Sequence, residues 1–360
     1  MTITYLIGNG FDLGLKLKTD YKSFIDWYLA KKDVPPELDW LRREMRKYPN
    51  QWSDAEIAFG KLKFSEHGKP IDVYNKCYDD FSDAFNAYLV ERNKLFEIPE
   101  LDRRKVAEEF VRRTLCVHEY MAPQCRQFYL DSMKNQSINL NFITFNYTNT
   151  LEKILNFHAD KPDVFEIKLS DEMTMKVLVK NVCHVHGTLD DAYVFGIDSP
   201  SQIEDAEVRR YCERNGGMLK ARADEKLGLL NRSRGMSLLK HSNRIVTYGL
   251  SFGESDASWW QALFSEISTN RAQLVMCPFR ADLLERLSAK KRSDVYLEEK
   301  RRVFNSLVLS NPKLVERIEE FSPPAIMSLR PSKSTDARGN IHHCDYFHLS
   351  ALAAKYTKEV

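Results

Sequence analysis

The chain of 360 residues contains no Cys-x-x-Cys pair. Its cysteines (Cys77, Cys116, Cys125, Cys183, Cys212, Cys277 and Cys344) are scattered, so no zinc-ribbon site is expected. An odd number without a disulfide framework suits a reducing compartment. An excess of one charge is missing too: 53 Lys and Arg stand against 51 Asp and Glu. Electrostatics alone therefore gives no reason to expect nucleic acid or a membrane surface as partner. No apolar run is long enough for a membrane span. The first residues enter a strand without a basic stretch, so no signal peptide is expected, and the expected location is the cytoplasm. There is no fixed-period repeat and no low-complexity tract. The hydrophobic share of 43% is ample for a core, and the length suits one large domain or two.

What is present centres on residues 137–152. Ile138, Leu140 and Phe142 alternate onto one face, and Ile143 and Phe145 make the end of the run nearly continuous. A short apolar run bounded by polar residues reads as a buried strand. It ends in Asn146, Tyr147, Thr148 and Asn149. Thr148 or Asn149 can cap a helix whose apolar face is Leu151, Ile154 and Leu155. Polar side chains at the carboxyl end of a strand, just before a helix, mark where open α/β sheets bind ligands.

Residues 3–7 read as another buried strand, followed by Gly8-Asn9-Gly10-Phe11-Asp12. Two glycines there allow a tight turn and close approach of a phosphate to backbone N–H groups. The dinucleotide fingerprint wants a third glycine where Leu13 stands, so a plain strand-to-helix turn is an equal reading. Asp12 either contacts a ribose or ligand amide or caps the turn. From about residue 19 to 135 the pattern is helical. Tyr21, Phe24, Ile25, Tyr28 and Leu29 sit at helical spacing, and Val73, Cys77, Phe81, Phe85 and Leu89 step by four. Residues 53–56, Ser-Asp-Ala-Glu, have the form of a capping box. So long a helical stretch between the first two strands predicts an insertion, residues 20–135, on an α/β domain of residues 1–19 and 136–360. It is expected to lie beside or over the mouth of a cleft. Its aromatic stripe reads as core packing.

Further strands are expected at 164–169, 175–185, 192–197, 244–248 and 273–277. The second runs into His184-Val185-His186-Gly187, where one histidine is expected on each side of the sheet. Residues 202–241 read as helices with a solvated, mixed-charge face. Ser255 or Asp256 is expected to cap the helix holding Trp259, Trp260, Leu263 and Ile267. Charged helices are expected near 281–288 and 294–320. His342, His343, Cys344, Asp345 and His348 are metal-binding types, but adjacent histidines point to opposite faces of a strand, and no metal site is expected.

Four of these stretches resemble motifs of known families. Thr144-Phe145-Asn146-Tyr147 through Leu151-Glu152 is similar to the Thr-x-Asn-Tyr-Asp…Leu-Glu segment of sirtuin-like NAD-binding domains. His186-Gly187 resembles their His-Gly after a strand, and Gly249-Leu250-Ser251 through Asp256 resembles their Gly-Tyr-Ser-x-x-Asp-x-Asp loop. Ile7-Gly8-Asn9-Gly10-Phe11-Asp12, with Thr19 and Tyr21, resembles the signature of AbiH, a bacterial family of abortive phage infection. The resemblance implies an α/β fold: a sirtuin-like, Rossmann-type, mostly parallel sheet with a large helical insertion. It implies NAD as substrate, bound by Gly8, Asn9, Gly10, Asp12, Thr144, Tyr147, Gly249, Ser251 and Asp256, with Asn146 and His186 catalytic. The sirtuin-like Asp after Asn-Tyr is Thr148 here, and the four-cysteine zinc module of protein-deacylating sirtuins is absent. That turns the expectation from an acetyl-lysine peptide to NAD itself.

The residue types suit that chemistry. Asn146 both donates and accepts, and can hold a ribose hydroxyl or the attacking water. His186 can take a proton near neutral pH. Gly8 and Gly10 are expected to offer N–H groups to the diphosphate. Each has a plainer reading: Asn146 starts a turn, His184 or His186 is a satisfied core histidine, and Asp256 is a helix cap. The expected function is hydrolysis of NAD to nicotinamide and ADP-ribose in defence against phage. The rivals are a non-catalytic nucleotide-binding sensor and an enzyme for another nucleotide. A phage-derived trigger and a second copy of the chain are the further partners considered.

Overall fold

Apolar side chains on both faces of residues 2–7 place this strand in the middle of a sheet. The computed structural model describes residues 1–31, 35–121, 123–170, 173–270, 272–277, 326–328, 333–335, 341–343 and 346–358. The strands are β1 (Thr2–Ile7), β2 (Ile138–Thr144), β3 (Val164–Ser170), β4 (Met173–His184), β5 (Arg244–Tyr248), β6 (Gln273–Cys277), β7 (Ile326–Ser328), β8 (Lys333–Thr335) and β9 (Ile341–His343). Seven of them form one sheet in the order β3-β4-β2-β1-β5-β6-β7. Only β3 runs antiparallel to its neighbour. From β1 the chain goes first to β2 on one side and later to β5 on the other, so the strand order reverses at β1.

Alternation along the central strands divides two cores. Ile3, Tyr5 and Ile7 join Leu140, Phe142, Val246, Tyr248 and Val275 on one face. Leu6, Ile143, Ile245, Leu274 and Met276 lie on the other, under Trp259, Trp260 and Leu263. Packing both faces leaves the polar carboxyl edge as the part of the sheet free to hold a ligand.

Between β1 and β2 come α1 (Gly10–Gly14), α2 (Tyr21–Ala30), α3 (Pro36–Lys47), α4 (Ala55–Gly60), α5 (Ile71–Asn93), α6 (Glu100–Leu115) and α7 (Pro123–Asp131). They divide between cores. Phe24, Tyr28, Trp52, Phe59, Phe81 and Phe85 build a third cluster together with Phe195, Ile197 and Leu219. Phe110, Val111 and Tyr129 pack instead on the sheet core. The aromatic stripe of α5 is thus core packing.

After β2 come α8 (Thr150–Leu155), α9 (Ala206–Asn215), α10 (Lys220–Leu227), α11 (Asn231–Lys240) and α12 (Ala257–Asn270). Two local expectations change. Residues 192–197 form no strand; they make only isolated bridges, Gly187 with Tyr193 and Ile197 with Leu219. The cap of α4 is Asp54, which accepts from Ile57 N at 3.2 Å, not Ser53 of the supposed capping box. Glu56 is buried rather than reaching back. The helices expected at 281–320 lie outside the described residues, as do Cys344 and Asp345 of the tail.

Candidate functional site

The reversal of strand order at β1 opens a crevice at the carboxyl ends of the strands, where loops diverge to either side. A cleft of about 630 Å³ lies there. Residues following β1 (Gly8, Asn9, Gly10, Asp12), β2 (Asn146, Tyr147, Thr148), β4 (His186) and β5 (Gly249, Ser251, Asp256) all line it. The helical segment supplies another wall with Tyr21, Asp54, Glu56, Phe85 and Leu89. Of the residues expected to bind or act on NAD, only Thr144 stands back from the cleft. It is buried, and its hydroxyl accepts from Asn146 N at 3.1 Å, shaping the turn.

The glycines do something other than cradle a diphosphate. Gly8 N donates to Tyr248 O and Gly10 N to Gly249 O, each at 2.9 Å. A Cβ on Gly10 would meet Gly249 Cα at 2.5 Å, and Gly249 itself has φ +65°. The β1 and β5 loops are interlocked backbone against backbone, which requires the missing side chains. The expectation that these two amides hold a diphosphate is therefore corrected: both are engaged within the protein. Gly187 is likewise required by its place, with φ +81° and Ala192 O at 1.9 Å from any Cβ.

Asp12 is buried and accepts from Thr148 Oγ1 and Thr150 Oγ1, each at 2.6 Å. It ties the first loop to the Asn146 turn. Burial pushes its carboxyl up, against the two hydroxyl bonds. Thr148, where the sirtuin-like motif has Asp, is a donor to a carboxylate that arrives from another loop.

The two histidines part company, though not by strand alternation. Residues two apart on a strand share a face. Here β4 ends at His184, and the turn after it carries His186 into the cleft. His184 stays behind the cleft. Its Nδ1 is 2.8 Å from Asn146 O and its Nε2 bonds Glu152. Burial works against charging this ring, yet the Glu152 carboxylate, with help from Asn146 O and Asp12, raises its pKa. It is an anchor of the Asn146 turn rather than a bystander.

His186 is 5% exposed, and its Nε2 lies 2.9 Å from Asp256 Oδ1, off the line of a straight hydrogen bond. Ser255 or Asp256 is the cap of α12 expected from the sequence. That role falls instead to Asp198, whose Oδ2 accepts from Ser258 N at 2.9 Å. Asp256 Oδ1 meets Lys220 Nζ at 2.8 Å. Lys220, 1% exposed, also reaches Glu56 Oε2 at 3.2 Å and Ser255 O at 3.1 Å. Burial opposes charge on Asp256, but Lys220 and His186 hold its carboxyl well below the usual range. Burial pushes the Glu56 carboxyl up.

Sequence reading missed Glu56, Lys220 and the role of His184. Lys220 lies within residues 202–241, whose mixed charge reads as a solvated face, and nothing in its local pattern marks it as covered. Glu152, the partner of His184, is the acidic residue of the Leu151-Glu152 pair, and that pair is the signal the sequence offers for it.

The cleft-lining carboxylates are Asp12, Asp20, Asp54, Glu56, Glu254 and Asp256; among the described residues no Lys or Arg lines it. The described residues hold no cluster of His, Cys, Asp and Glu suited to a metal ion. None of their helices is long and apolar enough to cross a membrane. No curated protein matches the chain. Residues 4–277, which carry every loop of the cleft, match the family model for bacteriophage abortive infection AbiH, and the chain belongs to that family.

Proposed function

We propose that the cleft hydrolyses the N-glycosidic bond of NAD, releasing nicotinamide and ADP-ribose, and that this chemistry serves the abortive infection for which the family is named. One observation carries the reading: Asn146 and the His186–Asp256 pair converge in one cleft where the strand order reverses. The nicotinamide ring is cationic while bonded to C1′, and its departure as a neutral molecule moves the positive charge onto an oxocarbenium-like ribosyl centre. Carboxylates around it favour that charge, and they favour it more in the transition state than in the ground state, which is what raises a rate. Asn146 orients a ribose hydroxyl or the water. Water adds to C1′ as the C1′–N bond breaks. The bonding pair leaves with neutral nicotinamide, and the proton of the water passes to His186.

A second reading, an enzyme for another and less anionic N-riboside, is favoured by one specific observation. No Lys or Arg among the described residues lines the cleft, and the Gly8 and Gly10 amides are engaged. Purified protein incubated separately with NAD and nicotinamide riboside, and followed by mass spectrometry, tests both. Release of nicotinamide from NAD supports the first reading; release from the riboside alone supports the second. Binding of NAD without release of nicotinamide under any condition overturns hydrolysis and leaves a sensor.

A further inference from the structure

Lys220 has three N–H donors and three acceptors: Glu56 Oε2, Ser255 O and Asp256 Oδ1. Its ammonium is enclosed, so it cannot itself touch a substrate in the cleft. The oxygen it holds, Asp256 Oδ1, is the one standing 2.9 Å from His186 Nε2. Three separate parts of the chain meet here: α4 through Glu56, α10 through Lys220, and the loop after β5 through Asp256. A carboxylate facing Nε2 favours the proton on that nitrogen and leaves the Nδ1 lone pair as base, the arrangement of an oriented general base. The off-line angle at Nε2 is of the kind that tightens when substrate binds.

We infer that Lys220 is a positioning residue: pinned between Glu56 and Asp256, it fixes the carboxylate that sets the tautomer of His186. The inference rests on the reading of His186 as base in the proposed hydrolysis. Without Lys220, Asp256 loses its fixed partner and faces Glu56 and Asp54 as like charges. The remaining charged groups around the cluster are Asp198 and Asp224, with Arg232 paired to Asp198 at 3.2 Å, and Glu254 at the cleft rim.

The test uses the full chain with ¹⁵N-labelled histidine. The His186 ring signals are assigned among the nine histidines by comparison with His186→Gln. The native ring is expected with its proton on Nε2. In Lys220→Met the ring becomes a mixture of tautomers, and kcat for nicotinamide release falls by about tenfold or more while KM moves little. Should Lys220→Met fail to fold, Glu56→Gln/Lys220→Met removes one anion with the cation and is expected to give the same mixture. A native ring protonated on Nδ1, or an unchanged tautomer in either folded variant, overturns the inference. A native chain that leaves NAD intact, yet whose tautomer depends on Lys220, overturns the NAD reading and keeps this one.

Discussion

Asn146 and His186 owe their place to strand ends, where a side chain leaves the core and meets the crevice. Under the proposed hydrolysis, Asn146→Ala and His186→Ala are each expected to cut nicotinamide release by about a hundredfold, the scale of a lost positioned acid–base group. Neither should unfold the protein, although His186→Ala gives up a buried ring packed against Phe145 and Tyr147 and should lower the melting temperature more than Asn146→Ala. Equal loss of NAD affinity and turnover would contradict this.

His184→Ala should behave differently. It removes a buried ring bonded to Asn146 O and Glu152, at a cost of about 2 kcal/mol, and it frees the Asn146 turn. The folded state raises the pKa of His184, so it binds the proton more tightly than the unfolded chain. That stabilisation is complete below the unfolded value of about 6.5 and fades as pH rises through the folded value. Calorimetry of native and variant across this range should show a gap in melting temperature that narrows toward alkaline pH; a widening gap would mean the ring is not held as an imidazolium.

Loops rather than regular elements carry the precision of the site. The β1 and β5 loops touch through Gly8, Gly10 and Gly249, and at each the atom nearest an added Cβ is backbone. Gly10→Ala is therefore expected to destabilise by about 1–3 kcal/mol. Gly14→Ala, whose new Cβ meets Leu349 Cδ1 at 2.9 Å and Leu349 Cβ at 3.2 Å rather than backbone, should cost less, because a rotamer change of Leu349 relieves the closer contact. Urea midpoints of the two variants decide the point, and equal losses would argue against a backbone interlock. The cap of α4 tells a similar story: Asp54 takes the cap, and Glu56 is released for the buried charge cluster.

Taken as one body, the protein closes its cleft with parts far apart in the chain. Tyr21, Asp54, Glu56 and Phe85 from the helical segment face the loops of the sheet. Hydrogen exchange with and without NAD should therefore protect residues 53–57 together with 145–148 and 249–256. Protection confined to the sheet loops would mean that the helical wall takes no part in binding.

Several features were legible from the order of residues. Alternation of Ile138, Leu140 and Phe142 marked β2, and residues 244–248 and 273–277 were recognisable strands, because apolar period is a local property that the backbone imposes. The Gly8, Asn146, His186 and Gly249 segments were legible for the same reason: each is a polar or glycine-bearing break directly after an apolar run. Residues 192–197 were not, since an apolar run looks alike whether it pairs along its length or touches a neighbour only at isolated bridges. Nor was Lys220, which is 164 positions from Glu56. A lysine on a helix carries no mark of what will cover it. Burial and pairing of a charge depend on which distant carboxylates the packed cores bring within reach, and only folding settles that.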